Sequence, residues 1–209
     1  MAQVTLVGRS SSHFTRVARI FALELGVPHA FRPVLDLTVL DAAAYAENPA
    51  LKVPILVDES GPLFGTENIC RALVRRSGRG GVVLRGEVTE RVVANAEELV
   101  LHVMTSEVAL IMAKLAGDVQ SAPPKVRRSI ENALTYLDAH VDAVQAALPR
   151  GRTLSFVETT LYCVVTHLRF REVMDAAPWP RLVGFCERFG ERESARQTTF
   201  RFDAAPPAA

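Results

Sequence analysis

Three consecutive hydroxyls, Ser10-Ser11-Ser12, stand directly ahead of a run in which Phe14, Val17, Ala18, Phe21, Ala22 and Leu25 recur at helical spacing. Serines in that place are ordinarily helix caps. The place has a second use. A helix N-terminus offers unbonded amides and partial positive charge, and a hydroxyl can donate to an anion held before it. The stretch Lys52-Val53-Pro54-Ile55-Leu56-Val57 sets a proline inside a β-favouring run. Proline cannot donate to a ladder, so Pro54 belongs at an edge, a bulge or the first residue of a strand. Gly65-Thr66-Glu67 opens a further helical run through Ile69, Ala72 and Leu73. There Thr66 reads as a cap and Glu67 as a favourable first-turn acid.

Other chemistry is poorly supplied. His102 and His167 have no partners at metal-ligand spacing, so no metal site is expected. His13 reads as an exposed histidine or as the wall of a pocket. Arg75-Arg76-Ser77-Gly78-Arg79-Gly80-Gly81 lacks the spacing of a phosphate loop. A net charge of +1 gives no general attraction to nucleic acid or to an anionic membrane, so neither is expected as a partner. Cys70, Cys163 and Cys186 are sparse and far apart, which suits reduced thiols. No apolar run reaches a bilayer's thickness, and Met1-Ala2-Gln3-Val4 shows neither a basic nor a long apolar leader segment. A cytoplasmic protein is the expectation.

The elements that must carry these residues change character along the chain. Residues 3–7 read as a strand, the run to Leu25 as a helix stopped by Gly26, and residues 29–35 as a strand weakened by Pro33. A short helix over 38–47, the Pro54 strand, a turn at 58–61, a strand at 62–64 and a helix over 66–76 follow. The glycine-rich 77–87 reads as a linker in which Val82 to Leu84 can pack. Beyond it the pattern is helical: a long helix near 89–116, another opened by Pro123-Pro124, and a capping box at Ser155-Phe156-Val157-Glu158. A last helix starts near Trp179-Pro180, with Leu182, Phe185, Cys186 and Phe189 inward. The Ala/Pro-rich tail from Asp203 reads as frayed. Three segments result: residues 1–76, a linker 77–87, and 88–209.

Asn48-Pro49 followed by Lys52-Val53-Pro54-Ile55-Leu56 resembles the signature of the cytosolic glutathione transferase family. Ser12-His13-Phe14-Thr15-Arg16 leading to Glu24-Leu25-Gly26-Val27 resembles its first helix. The capping box and the ending from Trp179 to Thr199 are similar to its C-terminal half. The resemblance implies an α/β plus all-α protein: a thioredoxin-like N-terminal domain followed by an all-helical glutathione-transferase-type C-terminal domain.

It also implies roles. The Val53-Pro54 bond would be cis, leaving the Val53 amide and carbonyl to pair with the cysteinyl backbone of glutathione. Ser12, with Ser11 as the runner-up, would stabilise the thiolate; the first tyrosine is Tyr45 and no cysteine precedes Cys70. Lys52 would meet the glycyl carboxylate, or else be a solvated lysine. Thr66 would receive the γ-glutamyl carboxylate. Gly65 stands where the family has an acidic residue or Gln, and Glu67, one place along, is the substitute for the glutamyl ammonium. A small hydrophobic electrophile would sit near His13, Phe14, His102, Met104 and Met112, and the protein would be a homodimer. The expected activity is glutathione conjugation with glutathione as co-substrate and no metal. A non-catalytic module of the same fold and a glutathione-dependent peroxidase or isomerase are the alternatives.

Overall fold

The computed structural model describes residues 3–117 and 123–204. The chain divides into two compact units, Met1–Gly80 with Glu193–Ala209, and Gly81–Arg192.

The first unit runs β1 (Val4–Gly8), α1 (His13–Glu24), β2 (His29–Pro33), a 3-10 turn (Ala42–Tyr45), β3 (Ile55–Asp58), β4 (Gly61–Phe64) and α2 (Thr66–Ser77). Its sheet has the order β2-β1-β3-β4, with β1 and β2 parallel and the other pairs antiparallel. Pro33 and Pro62 fall on β2 and β4, the two edges, where a missing N–H costs no ladder bond. Successive side chains of a strand face opposite ways. Val7 and Ile55, paired across the ladder, pack with Val34 and Tyr45 on one face. Leu6 and Leu56, also paired, are buried on the other. The expected helix over 38–47 contracts to the single turn. Asp41 caps it by accepting the Ala43 N–H at 3.0 Å, and Ala46 and Glu47 leave it with φ of 49° and 64°.

The second unit holds β5 (Val82–Val83), α3 (Arg91–Leu115), α4 (Pro124–Ala147), β6 (Leu154–Ser155), α5 (Phe156–Arg171) and α6 (Pro180–Gly190). The glycine-rich stretch is therefore only partly a linker: Gly78 caps α2 at φ 64°, and Val82 and Val83 pair in parallel with Leu154 and Ser155. α5 is buried along most of its length, as a helix apolar on several faces must be. α3 packs against α4 and α5, and α6 against α4 and α5. Asp138 of α4 accepts the Leu182 N–H of α6 at 2.9 Å. Leu182, Phe185 and Phe189 are buried as expected, whereas Cys186 is half-buried.

The capping box is half formed. Ser155 Oγ accepts the Glu158 N–H at 3.3 Å, but the Glu158 carboxylate takes the Ser155 hydroxyl at 2.6 Å, Gln145 at 3.1 Å and both sides of Arg152 at 2.7 and 2.8 Å. A guanidinium fork outcompetes a single backbone amide for a carboxylate.

The end of the chain returns to the first unit. α7 (Glu193–Gln197) packs on α1, and residues 198–204 continue beside it. α7 thereby belongs with the first unit, and the second ends at Arg192. Among the described residues no helix is long and apolar enough to cross a membrane.

Candidate functional site

Register gathers the candidate residues of the first unit. Gly8 ends β1 opposite Pro33, the end of the parallel strand β2. Val7 pairs with Ile55, the start of β3, and Ile55 pairs with Phe64, the end of β4. Segments 9–12, 34–41, 51–54 and 65–67 therefore all meet the sheet at one end.

In the first of these, Ser12 N–H donates to Arg9 O at 3.0 Å and closes a tight turn. Ser10 and Ser11 are buried within it and Ser12 is half-buried. Ser12 is the N-cap of α1, its Oγ accepting the Thr15 N–H at 3.3 Å. A hydroxyl accepts through its lone pairs and keeps a separate donor, so capping leaves the Ser12 O–H available. The first backbone bond of α1 runs from Arg16 N–H to Ser12 O at 2.9 Å. The His13 and Phe14 amides therefore precede the helix's own bonding. Ser10 is differently placed: its amide donates to Asp203 Oδ2 at 2.7 Å and its hydroxyl accepts from Arg19 at 3.5 Å. His13 is buried and lies against Phe14 with ring centroids 4.5 Å apart, which corrects its reading as an exposed histidine.

The Val53-Pro54 bond is cis. Val53 stands two residues ahead of the first ladder pair, so its backbone is outside the sheet, while its side chain packs on the Val7–Tyr45 cluster. Asn48, itself buried, shapes the approach. Its Nδ2 donates to Lys52 O at 2.7 Å and its Oδ1 accepts from Ala50 N–H at 3.0 Å. Lys52 itself is exposed. Leu51 holds φ at 53°, a strained value for a branched side chain and of the kind that collects at binding sites.

At the start of α2 the cap is Gly65, with φ 88° and no side-chain bond, and Thr66 is the first helical residue. Thr66 is thus not itself the cap. The first helical bond joins Ile69 N–H to Gly65 O at 3.0 Å, so the amides of Thr66 and Asn68 precede the helix's own bonding. The Glu67 carboxylate meets Arg71 one turn on, at 2.9 and 3.2 Å. In the second unit Met104 is core, His102 is exposed against Ser129 at 3.0 Å, and Met112 is exposed. His167 does have a partner of ligand type: its Nδ1 lies 2.8 Å from Glu107 Oε1, both side chains buried. Burial pushes the Glu107 carboxyl up against the opposing pull of His167 and Arg171.

Residues 6–80 match the family model described as glutathione S-transferase, N-terminal domain. The N-terminal part of the chain is thus similar to the N-terminal domain of glutathione S-transferases. No curated protein matches the sequence. Among solved structures, a glutathione S-transferase from Methylobacterium radiotolerans in complex with glutathione sulfonate is 18% identical over 100% of both chains, with a TM-score of 0.78. One from Methylobacillus flagellatus with glutathione bound is 20% identical over 95% of this chain and 100% of its own, also at 0.78. A family member from Pseudomonas fluorescens with bound glutathione is 22% identical over 95% and 99%, at 0.74. The fold is therefore a thioredoxin-like domain followed by the helical region of glutathione transferases.

Within this transferase fold the structure adds residues that sequence reasoning passed over. Asp203 lies 193 positions from the amide it binds, in a tail whose composition reads as frayed; residues 205–209 of that tail lie outside the described residues. No local pattern signals such a pairing. Arg19 lies among the polar gaps of an apolar helix and is signalled no better.

Proposed function

We propose that this chain is a glutathione transferase in which Ser12 stabilises the thiolate of glutathione for attack on a small hydrophobic electrophile. The observation that carries the reading is the convergence at one end of the sheet: a hydroxyl-capped helix start, the cis Val53-Pro54 loop, and the start of α2, whose cap Gly65 supplies no side-chain bond. A free thiol ionises near 8.5, and lowering that by about two units takes roughly 2.7 kcal/mol. A helix N-terminus contributes up to about 2 kcal/mol where it is partly buried, and a charge-assisted hydroxyl bond supplies the remainder.

Each remaining part has one task. Val53 presents its backbone outside the ladder, suited to pair with a peptide as an added strand would. The α2 amides at Thr66 and beyond suit a carboxylate. Exposed Lys52 is long enough and free enough in solvent to reach the glycyl carboxylate. Glu67 meets the glutamyl ammonium while remaining tied to Arg71. Ser11 is the substitute thiolate ligand should Ser12 be required wholly as a cap. The solved relatives with glutathione bound support glutathione as the co-substrate. Detoxification in the cytoplasm by a homodimer, with no metal, completes the proposal.

One observation favours a second reading, a binding module without catalysis. Gly65 supplies no side chain where the family carries an acidic residue or Gln, and Glu67 is shared with Arg71. A chemical-shift map with glutathione, followed by the ultraviolet thiolate absorbance of the complex against pH, separates the two. The enzyme reading expects shifts at Ser12, Val53 and Thr66, and a thiol pKa at least about one unit below that of free glutathione, lost in Ser12→Ala. Binding with an unaltered thiol pKa gives the module, and no shift at those three residues removes the site.

A further inference from the structure

One bond ties the C-terminal segment to the serine turn. Asp203 Oδ2 accepts the Ser10 N–H at 2.7 Å. Ser10 is 2% exposed, so its amide has no competing solvent. The tail reaches it through a series of side-chain ties along α1. The Glu24 carboxylate accepts the Ser194 hydroxyl at 2.5 Å. Arg16 donates to Ala195 O at 3.1 Å and Thr198 Oγ1 at 3.4 Å, and its guanidinium lies 4.3 Å from the Phe200 ring centroid. Four contacts over ten residues fix where Asp203 arrives. Arg19, which donates to the Ser10 hydroxyl and rests over Phe31, supplies positive charge beside the carboxylate.

We propose that Asp203 is a positioning residue for the thiolate site: its carboxylate pins the Ser10 amide, and so holds the Arg9–Ser12 turn and the start of α1 in the geometry that the thiol requires. The inference rests on the serine reading above and deepens it. The turn is closed by a backbone bond of its own, Ser12 N–H to Arg9 O. Ser11 and Ser12 follow Ser10 directly, so any drift of the Ser10 peptide moves both hydroxyls. A misplacement near one ångström is enough to forfeit about a hundredfold in a positioned reaction. Asp203 acts here as a hydrogen-bond acceptor. Acting by charge, it would oppose a nearby thiolate, and its removal would lower the thiol pKa.

That opposition in sign makes the test. Full-length protein is compared with Asp203→Ala and Asp203→Asn by amide exchange at Ser10, by glutathione affinity and by thiolate absorbance against pH. Asp203→Ala is expected to speed Ser10 exchange by about tenfold or more. It is also expected to raise the bound thiol pKa by about half a unit to one unit, with glutathione affinity held within about threefold. Asp203→Asn keeps an acceptor oxygen and is expected to restore most of both. The assignment is overturned if Asp203→Ala leaves Ser10 exchange and the thiol pKa at parental values. A falling thiol pKa, or an Asp203→Asn variant as impaired as the alanine, overturns it too. A parent protein that binds no glutathione defeats the transferase reading instead, and Ser10 exchange then still decides whether Asp203 holds the turn.

Discussion

Gly8 and Thr15 are in such close approach that a Cβ on Gly8 would lie 2.4 Å from Thr15 Cγ2 and 2.6 Å from its Oγ1. The same Thr15 takes the Arg9 N–H on Oγ1 at 3.3 Å and gives its own N–H to Ser12. The strand end and the helix start are thus locked together through one side chain, with the serine turn between them. Glycine at position 8 is a requirement of that contact, since β1 itself would accept a larger residue.

Gly8→Ala is therefore expected to displace Thr15 and with it the Ser12 cap. Overpacking of this kind costs about 1–3 kcal/mol. Chemical denaturation measures the loss, and the thiol pKa of bound glutathione should rise in parallel. Adding Thr15→Ala removes both clashing atoms and is expected to recover part of the stability without restoring the site, because the Arg9 N–H loses its acceptor.

Ser12 has two separable tasks, and two substitutions separate them. Alanine at an N-cap costs about 1 kcal/mol, whereas glycine costs only a few tenths. Ser12→Ala is expected to lower both stability and thiolate formation. Ser12→Gly is expected to spare stability and to raise the bound thiol pKa as far as the alanine does. Thermal melting alongside thiolate absorbance reads the two tasks apart; a glycine variant with a parental thiol pKa would return Ser12 to capping alone.

Much of this architecture is legible in the sequence, and the part that is not has a common cause. The helical periodicity from Phe14 to Leu25, the Gly26 stop, Pro124 and Pro180 at helix starts and the Pro54 strand all express local preferences, and all are found. The Ser10–Ser12, Val53 and Thr66 segments enter as site candidates through the family resemblance, since local preference alone makes them helix caps and a strand start. What local pattern does not carry is pairing at a distance. The Asp203 bond to Ser10, the Gly8 contact with Thr15 across a turn, the burial of His13 and the Arg152 fork on Glu158 depend on which elements become neighbours. The contracted 38–47 helix failed for a different reason: Asp41 and the left-handed Ala46 and Glu47 override the helical preference of the alanines.

Gly65 is explained by its backbone. At φ 88° and ψ 130° it occupies a conformation nearly confined to glycine, which costs other residues about 1–3 kcal/mol, while a Cβ there would meet Asn68 Nδ2 at 3.6 Å. Gly65→Gln is thus expected to fold, with stability lowered by that strain, and its side chain has room to contact the glutamyl end. Calorimetric titration with glutathione should show tighter binding than the parent at a lower melting temperature. Affinity unchanged or weaker would mean that the α2 end does not receive this part of the tripeptide.

The Glu158 site makes a prediction in pH. Burial works to raise this carboxyl, but the bonds from Arg152, Ser155 and Gln145 outweigh it and hold it below the ordinary range near 4.5. A depressed folded value means that stability is fully present above the unfolded pKa and is lost as pH falls through the folded one. Denaturation midpoints should therefore fall as the medium is acidified below pH 4.5 or so, and Glu158→Gln should flatten that acid limb. Arg152→Ala leaves a largely buried carboxylate uncompensated, and about 3 kcal/mol of stability is expected to go at neutral pH.

Asn48 supports the Val53 loop from beneath, and its removal tests whether the loop must be held to bind. Its amide satisfies both Lys52 O and Ala50 N–H within a buried setting. Asn48→Ala strands those two backbone groups, at about 1–3 kcal/mol. Ala46, Glu47 and Leu51 all hold positive φ in this segment, so the loop has strain to release once the clamp is gone. Glutathione affinity is expected to fall by about tenfold or more, since an edge that accepts a peptide must present its N–H and C=O at fixed spacing. The bound thiol pKa should stay near the parental value, because the Ser12 turn keeps its own supports in Thr15 and Asp203. An Asn48→Ala protein that binds glutathione as the parent does would show that the loop 48–54 takes no part in recognition.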